Sequence, residues 1–313
     1  MQKVIVICGP TASGKTSLSI ELAKKINGEI VSADSMQIYD EMKIGTAKPD
    51  EEEMQGIKHY LIGNVAPTKR YSVSEYKTDA IQAIEEIIQK RKIPIIVGGT
   101  GLYVNSLIYG IDYPEIETDL KYRAELEKTA EEKGLGYLYN KALEIDKEAM
   151  KNISPNDQKR ILRVLEIYKE TGKTKTQLES ESRKNGIPYD YKVFALNMPR
   201  EILYDRINRR VDIMIEKGLI EEVKKLYKKY GEKLTTSMQG IGYKEVVEYL
   251  NGNCTKEEMI EKIKMETRRY AKRQLTWFRK IENIEWLDAL QPAQNNVNII
   301  LEVSNIERRK QNN

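Results

Sequence analysis

Short apolar runs and amphipathic stretches alternate over the first hundred residues of the chain. Residues 4–8, 29–32 and 93–97 are rich in isoleucine and valine, and each predicts a short buried strand. Residues 18–26 and 74–91 place their apolar side chains at helical spacing, so each predicts an amphipathic helix. This alternation predicts an α/β fold, in which a parallel sheet carries helices on both faces.

The pattern changes to helices alone between about residues 112 and 185. One of these helices is predicted to begin with Ser154 as its N-cap and Asp157 at the third position, and to stop near Gly172. Residues 191–196 then return to the apolar pattern of a strand. The sequence therefore predicts that a helical segment interrupts the sheet.

We place this helical insertion at residues 112–190, within a sheet domain made of residues 1–111 and 191–313. The polar tail after Glu302 is expected to fray. The remaining predicted elements of the sheet domain are helices at residues 200–217, 219–230, 243–250 and 255–280, and a last strand at 284–287.

Composition excludes several classes of protein and site. Of the 313 residues, 40% are hydrophobic and 32% are charged, as in soluble proteins, and no apolar run approaches the ~20 residues of a membrane span. Cys8 and Cys254 stand far apart, which argues against a disulfide framework or a cysteine zinc site and fits a reducing cytoplasm. His59 is the only histidine, so multi-histidine metal binding is excluded, and its setting in residues 58–62 indicates a structural role for it and not Ser-His catalysis.

A glycine loop lies between the first predicted strand and the first predicted helix, and it fits the pattern G-x-x-x-x-G-K-[ST]. Its backbone N–H groups and the helix N-terminus would point at an anion, Lys15 would neutralise phosphate oxygens, and the Thr16 hydroxyl would ligate Mg²⁺. The motif predicts a polyphosphate ligand without identifying it as ATP. The predicted phosphate-binding residues are Gly9, Pro10, Thr11, Ala12, Ser13, Gly14, Lys15 and Thr16.

Two further polar positions follow the ends of predicted strands. Asp34 comes after the second strand and Thr100 after the third. Because ligands of a parallel sheet bind beyond the carboxyl ends of its strands, we expect both residues to share one crevice with the phosphate loop.

Two helices are predicted to present basic faces. Residues 268–280 contain six Lys and Arg residues and no acidic residue, with aromatic and apolar side chains opposite them. Lys159, Arg160 and Arg163 share one face of an earlier helix. The first face favours a nucleic-acid phosphate backbone over a merely solvated surface, whereas the second alone is equally consistent with either.

Seven stretches of the chain together resemble the bacterial tRNA dimethylallyltransferases, over nearly the whole length from Ile5 to about Phe278. The most specific are Asp-Ser-Met-Gln-Ile-Tyr at residues 34–39 and Ile-Gly-Thr-Ala-Lys-Pro at residues 44–49. The others are residues 9–16, 98–103, 156–160 with Arg163, 240–245 and 271–278. The resemblance implies transfer of a dimethylallyl group from its diphosphate to N6 of the tRNA adenosine just 3′ of the anticodon.

The resemblance also implies roles for individual residues. The phosphate loop would hold the donor's diphosphate with Lys15, and Thr16 would hold Mg²⁺. Asp34 would be the general base, although a magnesium-shell position or a helix N-cap is the alternative. Thr100 would act near the reacting amine. The positions implied to contact tRNA are Asp34, Ser35, Met36, Gln37, Thr100, Arg123, Lys159, Arg160, Ile161, Leu162 and Arg163.

The sequence allows more than one role for four polar or basic positions. Gln158 and Lys159 stand where the family commonly has Pro and Gln, and a lysine suits phosphate better than a base edge. Arg206 and Arg210 could add charge over the diphosphate or pair on a helix surface. We expect tRNA and dimethylallyl diphosphate as partners, no membrane, and a monomer.

Other functions compete with the one implied by the resemblance. A small-molecule kinase would use ATP on the same loop, and a related prenyltransferase would act on free adenine nucleotides. A non-enzymatic RNA-binding switch that senses nucleotide would leave the RNA unchanged. The long insertion and the basic C-terminal helix favour a large polyanionic substrate.

Overall fold

Six parallel strands form one sheet in the order β3-β2-β4-β1-β5-β6. The computed structural model describes residues 1–113, 119–184, 186–234 and 236–306. The strands are β1 (Lys3–Cys8), β2 (Gly28–Ser32), β3 (His59–Tyr60), β4 (Ile93–Gly98), β5 (Asp190–Asn197) and β6 (Glu285–Asp288). The predicted parallel α/β sheet is confirmed.

Helices precede and follow the strands as the sequence pattern indicates. In chain order they are α1 (Lys15–Ile26), α2 (Glu51–Met54), α3 (Val73–Gln89), α4 (Gly101–Ile108), α5 (Leu120–Lys133), α6 (Leu135–Ile145), α7 (Lys147–Met150), α8 (Gln158–Thr171), α9 (Lys175–Arg183), α10 (Arg200–Glu216), α11 (Leu219–Tyr230), α12 (Tyr243–Leu250), α13 (Lys256–Phe278) and α14 (Ala293–Ser304). None of the helices in the described part of the chain is long and apolar enough to cross a bilayer.

The chain divides into two compact units, Met1–Val104 with Pro188–Asn313 and Asn105–Ile187. The first contains the whole sheet, and its apolar core packs α1 and α14 on the sheet through residues such as Leu22, Phe194 and Val297. The second is helical, with a core of its own that includes Leu138, Ile161 and Leu165. Its limits lie a few residues before those of the 112–190 segment at both ends.

The structure adds four elements that were not predicted, and it moves the start of one helix. β3 and α2 have only two and four residues, too few to show a period, and α4 was missed as well. α14 was also missed, although its buried residues Val297, Ile300 and Leu301 recur at helical spacing. The N-cap of α8 is Asp157 and not Ser154, because the Asp157 side chain accepts the Arg160 backbone N–H and the four residues before α8 form a turn. The predicted end of that helix at Gly172 is confirmed. Part of the polar tail, residues 307–313, lies outside the described residues.

Candidate active site

The phosphate loop connects the buried strand β1 directly to α1. Gly9 has φ 142° and Gly14 has φ 92°, and Gly14 is the N-cap of α1. These conformations favour glycine and let the backbone approach a ligand closely. The Ser13 hydroxyl is buried, with 2% of the residue exposed, and it has no hydrogen-bond partner among the described residues. A buried polar atom without a partner is consistent with a ligand that binds in the loop.

The Lys15 side chain folds back onto the first two residues of this loop. Its ammonium group donates to the carbonyl oxygens of Gly9 at 3.0 Å and Pro10 at 2.6 Å. Burial, and to a lesser degree the nearby Arg210 guanidinium, lower the pKa of Lys15 to about 8. Burial also lowers the pKa of Arg210, whose guanidinium donates to Thr11 Oγ1 at 3.5 Å. Two partly buried cations beside the loop favour the binding of an anion there.

Gln274 connects the phosphate loop to the loop after β4. Its Oε1 accepts the Thr11 backbone N–H and its Nε2 donates to the Gly99 carbonyl, both at 2.9 Å. Gln274 is buried, with 5% of the residue's surface exposed. Sequence reasoning placed Gln274 merely among the docking residues of α13. A glutamine on an otherwise apolar helix face was the signal that could have identified it, because a buried amide needs partners.

Asp34 lies just beyond the end of β2, at the carboxyl edge of the sheet. Its Oδ1 accepts the backbone N–H groups of Met36 at 2.9 Å and Gln37 at 3.2 Å. Residues 35–38 form a turn and not a helix, so the structure does not support the helix N-cap alternative. No donor among the described residues hydrogen-bonds the second carboxylate oxygen, which leaves it free for a ligand.

Thr100 is fixed beside the Asp34 turn. Its Oγ1 accepts the Ser35 backbone N–H at 3.0 Å and donates to Ser35 Oγ at 3.3 Å. Tyr270 is near both residues: burial and the Asp34 charge raise its pKa to about 12, and side-chain hydrogen bonding with Thr100 partly offsets the rise. Thr100 is therefore linked to the Asp34 carboxylate through the 35–38 turn.

A cavity of about 440 Å³ brings the phosphate loop and the carboxylate together. It is lined by Thr11–Ser17, and by Asp34 and Gln37 from the following strand end. Arg206 and Arg210 close it from α10, and Tyr270 and Gln274 close it from α13. Of the residues predicted in this unit, Gly9, Pro10, Ser35, Met36 and Thr100 are not among those that line the cavity.

Mg²⁺ fits the donor groups of this cavity. The Thr16 hydroxyl is exposed at its wall, whereas the described residues contain no group of three His, Cys, Asp or Glu side chains that could hold a metal. Mg²⁺ usually keeps several waters and binds through few protein groups plus substrate phosphates, and in phosphate loops of this pattern the Ser/Thr hydroxyl is one of those groups. Thr16 would therefore hold Mg²⁺ together with a bound diphosphate.

The helical unit contains the other predicted RNA contacts. Arg123 donates to Glu166 at 2.9 Å, and Arg163 lies 3.5 Å from the other oxygen of this carboxylate, which is 5% exposed. Arg160 is exposed and lies 3.3 Å from Asp157. Arg123 and Lys159 line a second cavity, of about 620 Å³.

Two predicted RNA contacts lie in the core of this unit. Ile161 is 0% and Leu162 1% exposed, and both pack in its apolar cluster. Their side chains therefore cannot meet RNA at the surface, which corrects that part of the prediction for residues 159–163. Helical periodicity explains the difference, because the three basic residues of the segment lie on the opposite face.

The basic helix α13 docks as predicted through Ala271, Gln274 and Phe278, which are buried. Arg268 donates a hydrogen bond to Asn208 Oδ1 at 2.6 Å, and Arg269 forms an ion pair with Glu266. Four exposed cations of this basic face have no ion pair within the described residues: Lys272, Arg273, Arg279 and Lys280.

Most of the chain matches a known family model. Residues 37–281 match the model described as IPP transferase, which is well over half of the chain. The chain belongs to the IPP transferase family. A tRNA dimethylallyltransferase of Acetivibrio thermocellus is 54% identical over 288 residues, covering 92% of both chains. One of Clostridioides difficile is 50% identical over 290 residues, covering 92% of this chain and 93% of the relative.

Solved structures of the IPP transferase family agree with this assignment. A tRNA isopentenylpyrophosphate transferase of Staphylococcus epidermidis is 43% identical, with a TM-score of 0.72, and covers 98% of this chain and 100% of its own. A eukaryotic dimethylallyltransferase acting on tRNA is 34% identical, with a TM-score of 0.82 over 99% of this chain and 82% of the other. The resemblance seen in the sequence motifs is thus confirmed at the level of the family and the fold.

Proposed function

We propose that this IPP transferase moves a dimethylallyl group from dimethylallyl diphosphate to N6 of the adenosine just 3′ of the anticodon in tRNA. The observation that carries the proposal is the single cavity that holds both the phosphate loop and the Asp34 carboxylate. A phosphate cradle alone would suit any nucleotide. A carboxylate with a free oxygen beside the cradle suits an acceptor that must lose a proton.

The cradle would bind the part of the donor that leaves. As the bond between C1 of the dimethylallyl group and the diphosphate oxygen breaks, negative charge builds on the diphosphate. Lys15, Arg210 and the backbone N–H groups of the loop would stabilise that charge from the wall of the cavity. Thr16 would hold a Mg²⁺ ion, which when bound would help to neutralise the negative charge of the diphosphate.

Asp34 would accept the proton of the attacking amine. The lone pair of the adenine N6 is delocalised into the ring, so the amine is a weak nucleophile until a proton departs. The new bond joins N6 to C1, the diphosphate leaves with the bonding electrons of the C1–O bond, and the N6 proton passes to the carboxylate. Two backbone N–H groups fix the orientation of Asp34, which a general base requires.

Each unit by itself has residues that we propose to contact the RNA. Ser35, Met36 and Gln37 follow the base in the chain, and Thr100 hydrogen-bonds Ser35. Arg123, Lys159, Arg160 and Arg163 supply cations from the helical unit. The target base would leave its stack to enter the cavity, which costs less in a loop than in a duplex. Since one chain supplies every group named, we infer that it acts as a monomer.

A product assay tests this proposal. The protein is incubated with a tRNA that carries an unmodified anticodon loop, and with either dimethylallyl diphosphate or ATP. We expect pyrophosphate release and a mass gain on the target adenosine with the prenyl donor only. Formation of ADP from ATP and a small acceptor would indicate a kinase. Prenylation of free adenine nucleotides at the tRNA rate would move the acceptor away from RNA, and binding without covalent change would indicate a switch.

A further inference from the structure

Glu222 on α11 holds a loop whose sequence lies far from it. The carboxylate accepts four hydrogen bonds: Oε2 from the backbone N–H groups of Lys43 and Ile44 at 2.9 and 2.8 Å, and Oε1 from the Gly45 N–H at 3.2 Å and the Tyr243 hydroxyl at 2.6 Å. Bonds from neutral donors to an ionised acceptor are stronger than neutral pairs. One side chain therefore fixes three consecutive backbone amides.

Tyr243 completes this support. It is 0% exposed, and burial together with the Glu222 charge raises its pKa far above the ordinary value, so the hydroxyl stays protonated and keeps donating. The Tyr243 ring packs directly on Gly45, where a Cβ would come within 2.5 Å of ring carbon Cε2. The loop is thus held both by hydrogen bonds and by a close contact that admits only glycine.

The next residues of the loop hold Gln37. Gln37 Nε2 donates to the carbonyl oxygens of Thr46 and Ala47, both at 3.2 Å. Carbonyl oxygens can only accept, so the amide must present its nitrogen to the loop. No donor in the described parts of the chain hydrogen-bonds Gln37 Oε1. Gln37 lines the cavity with Asp34, so its oxygen is the group it can offer a substrate.

A fixed acceptor discriminates between nucleobases. The exocyclic N6 of adenine is a donor, whereas guanine presents the acceptor O6 at the equivalent position. A glutamine that could rotate its amide would accept both bases. A glutamine locked by two carbonyls favours the amine and opposes the keto oxygen.

We propose that Glu222 is a positioning residue for the RNA substrate: through the 43–47 loop it fixes the Gln37 amide with its oxygen free to accept from the exocyclic amine of the target base. The inference rests on the proposed function, because it takes an amine-bearing RNA base as the acceptor. It assigns to α11 and α12 a part in base selection, although neither helix contributes a residue to the cavity lining.

A double-mutant cycle tests the proposal. Glu222→Gln would place an amide nitrogen, itself a donor, against backbone donors. We therefore expect kcat/KM for an anticodon stem-loop to fall about tenfold. The KM for the donor should change less than about twofold. The matched control is Glu221→Gln, an exposed neighbour on the same helix, for which no change is expected. In a Gln37→Ala background, Glu222→Gln should cost less than about twofold, because its target is already gone.

Several results would overturn the inference. An equal loss from Glu222→Gln with and without Gln37 would make the effect structural, as would a loss that simply follows a drop in melting temperature. A rise in donor KM larger than that in RNA KM would mean that the loop shapes the donor side. If the wild-type protein does not prenylate the stem-loop at all, the proposed function fails instead, so the two failures are distinguishable.

Discussion

Individual side chains at this site depend on partners that are distant in the sequence. The convergence of Asp34 with the phosphate loop could be predicted, because parallel strands place their carboxyl ends at one edge. The partners of Gln274 could not, since Thr11 lies 263 residues away in the chain. In the helical unit the same holds for Arg123, whose partner Glu166 is 43 residues away. The sequence shows which residues carry a charge or an amide, but only the fold determines the partners of those groups.

The lowered pKa of Lys15, about 8, predicts how the KM for the donor depends on pH. Below this pH the ammonium group is charged and attracts the diphosphate; above it, the free enzyme loses the charge. Donor KM should therefore be flat up to about pH 8 and rise toward about tenfold per pH unit above it. At saturating donor the bound anion keeps Lys15 protonated, so kcat should not show this break. A donor KM that stays flat to about pH 9.5 in steady-state assays would contradict the account.

Elements were predictable where their pattern was strong and long. The helices predicted at residues 219–230 and 243–250 coincide with α11 and α12. β3 was missed because two residues carry no period, and the start of α8 was misplaced because Ser154 and Asp157 are both good N-cap residues. The function of α13 was predicted only for its exposed face. Its buried face also serves the site, because it carries Gln274.

The buried Gln274 amide on α13 is expected to affect both donor binding and stability. Gln274→Leu preserves the approximate shape but leaves the Thr11 N–H and the Gly99 carbonyl without this partner. We expect donor KM to rise about tenfold and the melting temperature to fall, because each unpaired buried group costs about 1–3 kcal/mol. Steady-state kinetics and thermal melting measure both. Gln291→Leu, at an exposed position, is the matched control and should change neither. An unchanged donor KM would rule out a role for Gln274 in shaping the phosphate loop.

At the scale of the whole molecule, each compact unit presents cations that suit a nucleic acid. The net charge of the chain is only +4, so their placement matters more than their number. Sequence reasoning found both basic faces. It could not tell which cations are already paired, and the structure shows that Arg163 and Arg269 have carboxylate partners whereas Lys272 and Arg273 have none among the described residues.

The exposed cations of α13 give a prediction at this scale. The paired change Lys272→Ala with Arg273→Ala should weaken tRNA binding, and should reduce the slope of log Kd against log salt by about 1 for each phosphate that the variant no longer neutralises. Binding titrations at several salt concentrations measure the slope. The paired change Lys224→Ala with Lys225→Ala removes the same charge from exposed positions of α11 and should leave the slope unchanged. Equal slopes for both double variants would contradict a specific RNA footprint on α13.

The central claim is that a carboxylate beside the phosphate cradle takes the proton of an RNA amine while the cradle keeps the diphosphate. The most direct measurement is the single-turnover rate of Asp34→Asn at saturating donor and tRNA, with the donor Kd determined in parallel. The account predicts a rate lower by about 10²–10⁴-fold, with the donor Kd within about threefold of the unchanged protein. A variant that prenylates the anticodon loop at the full rate would contradict it.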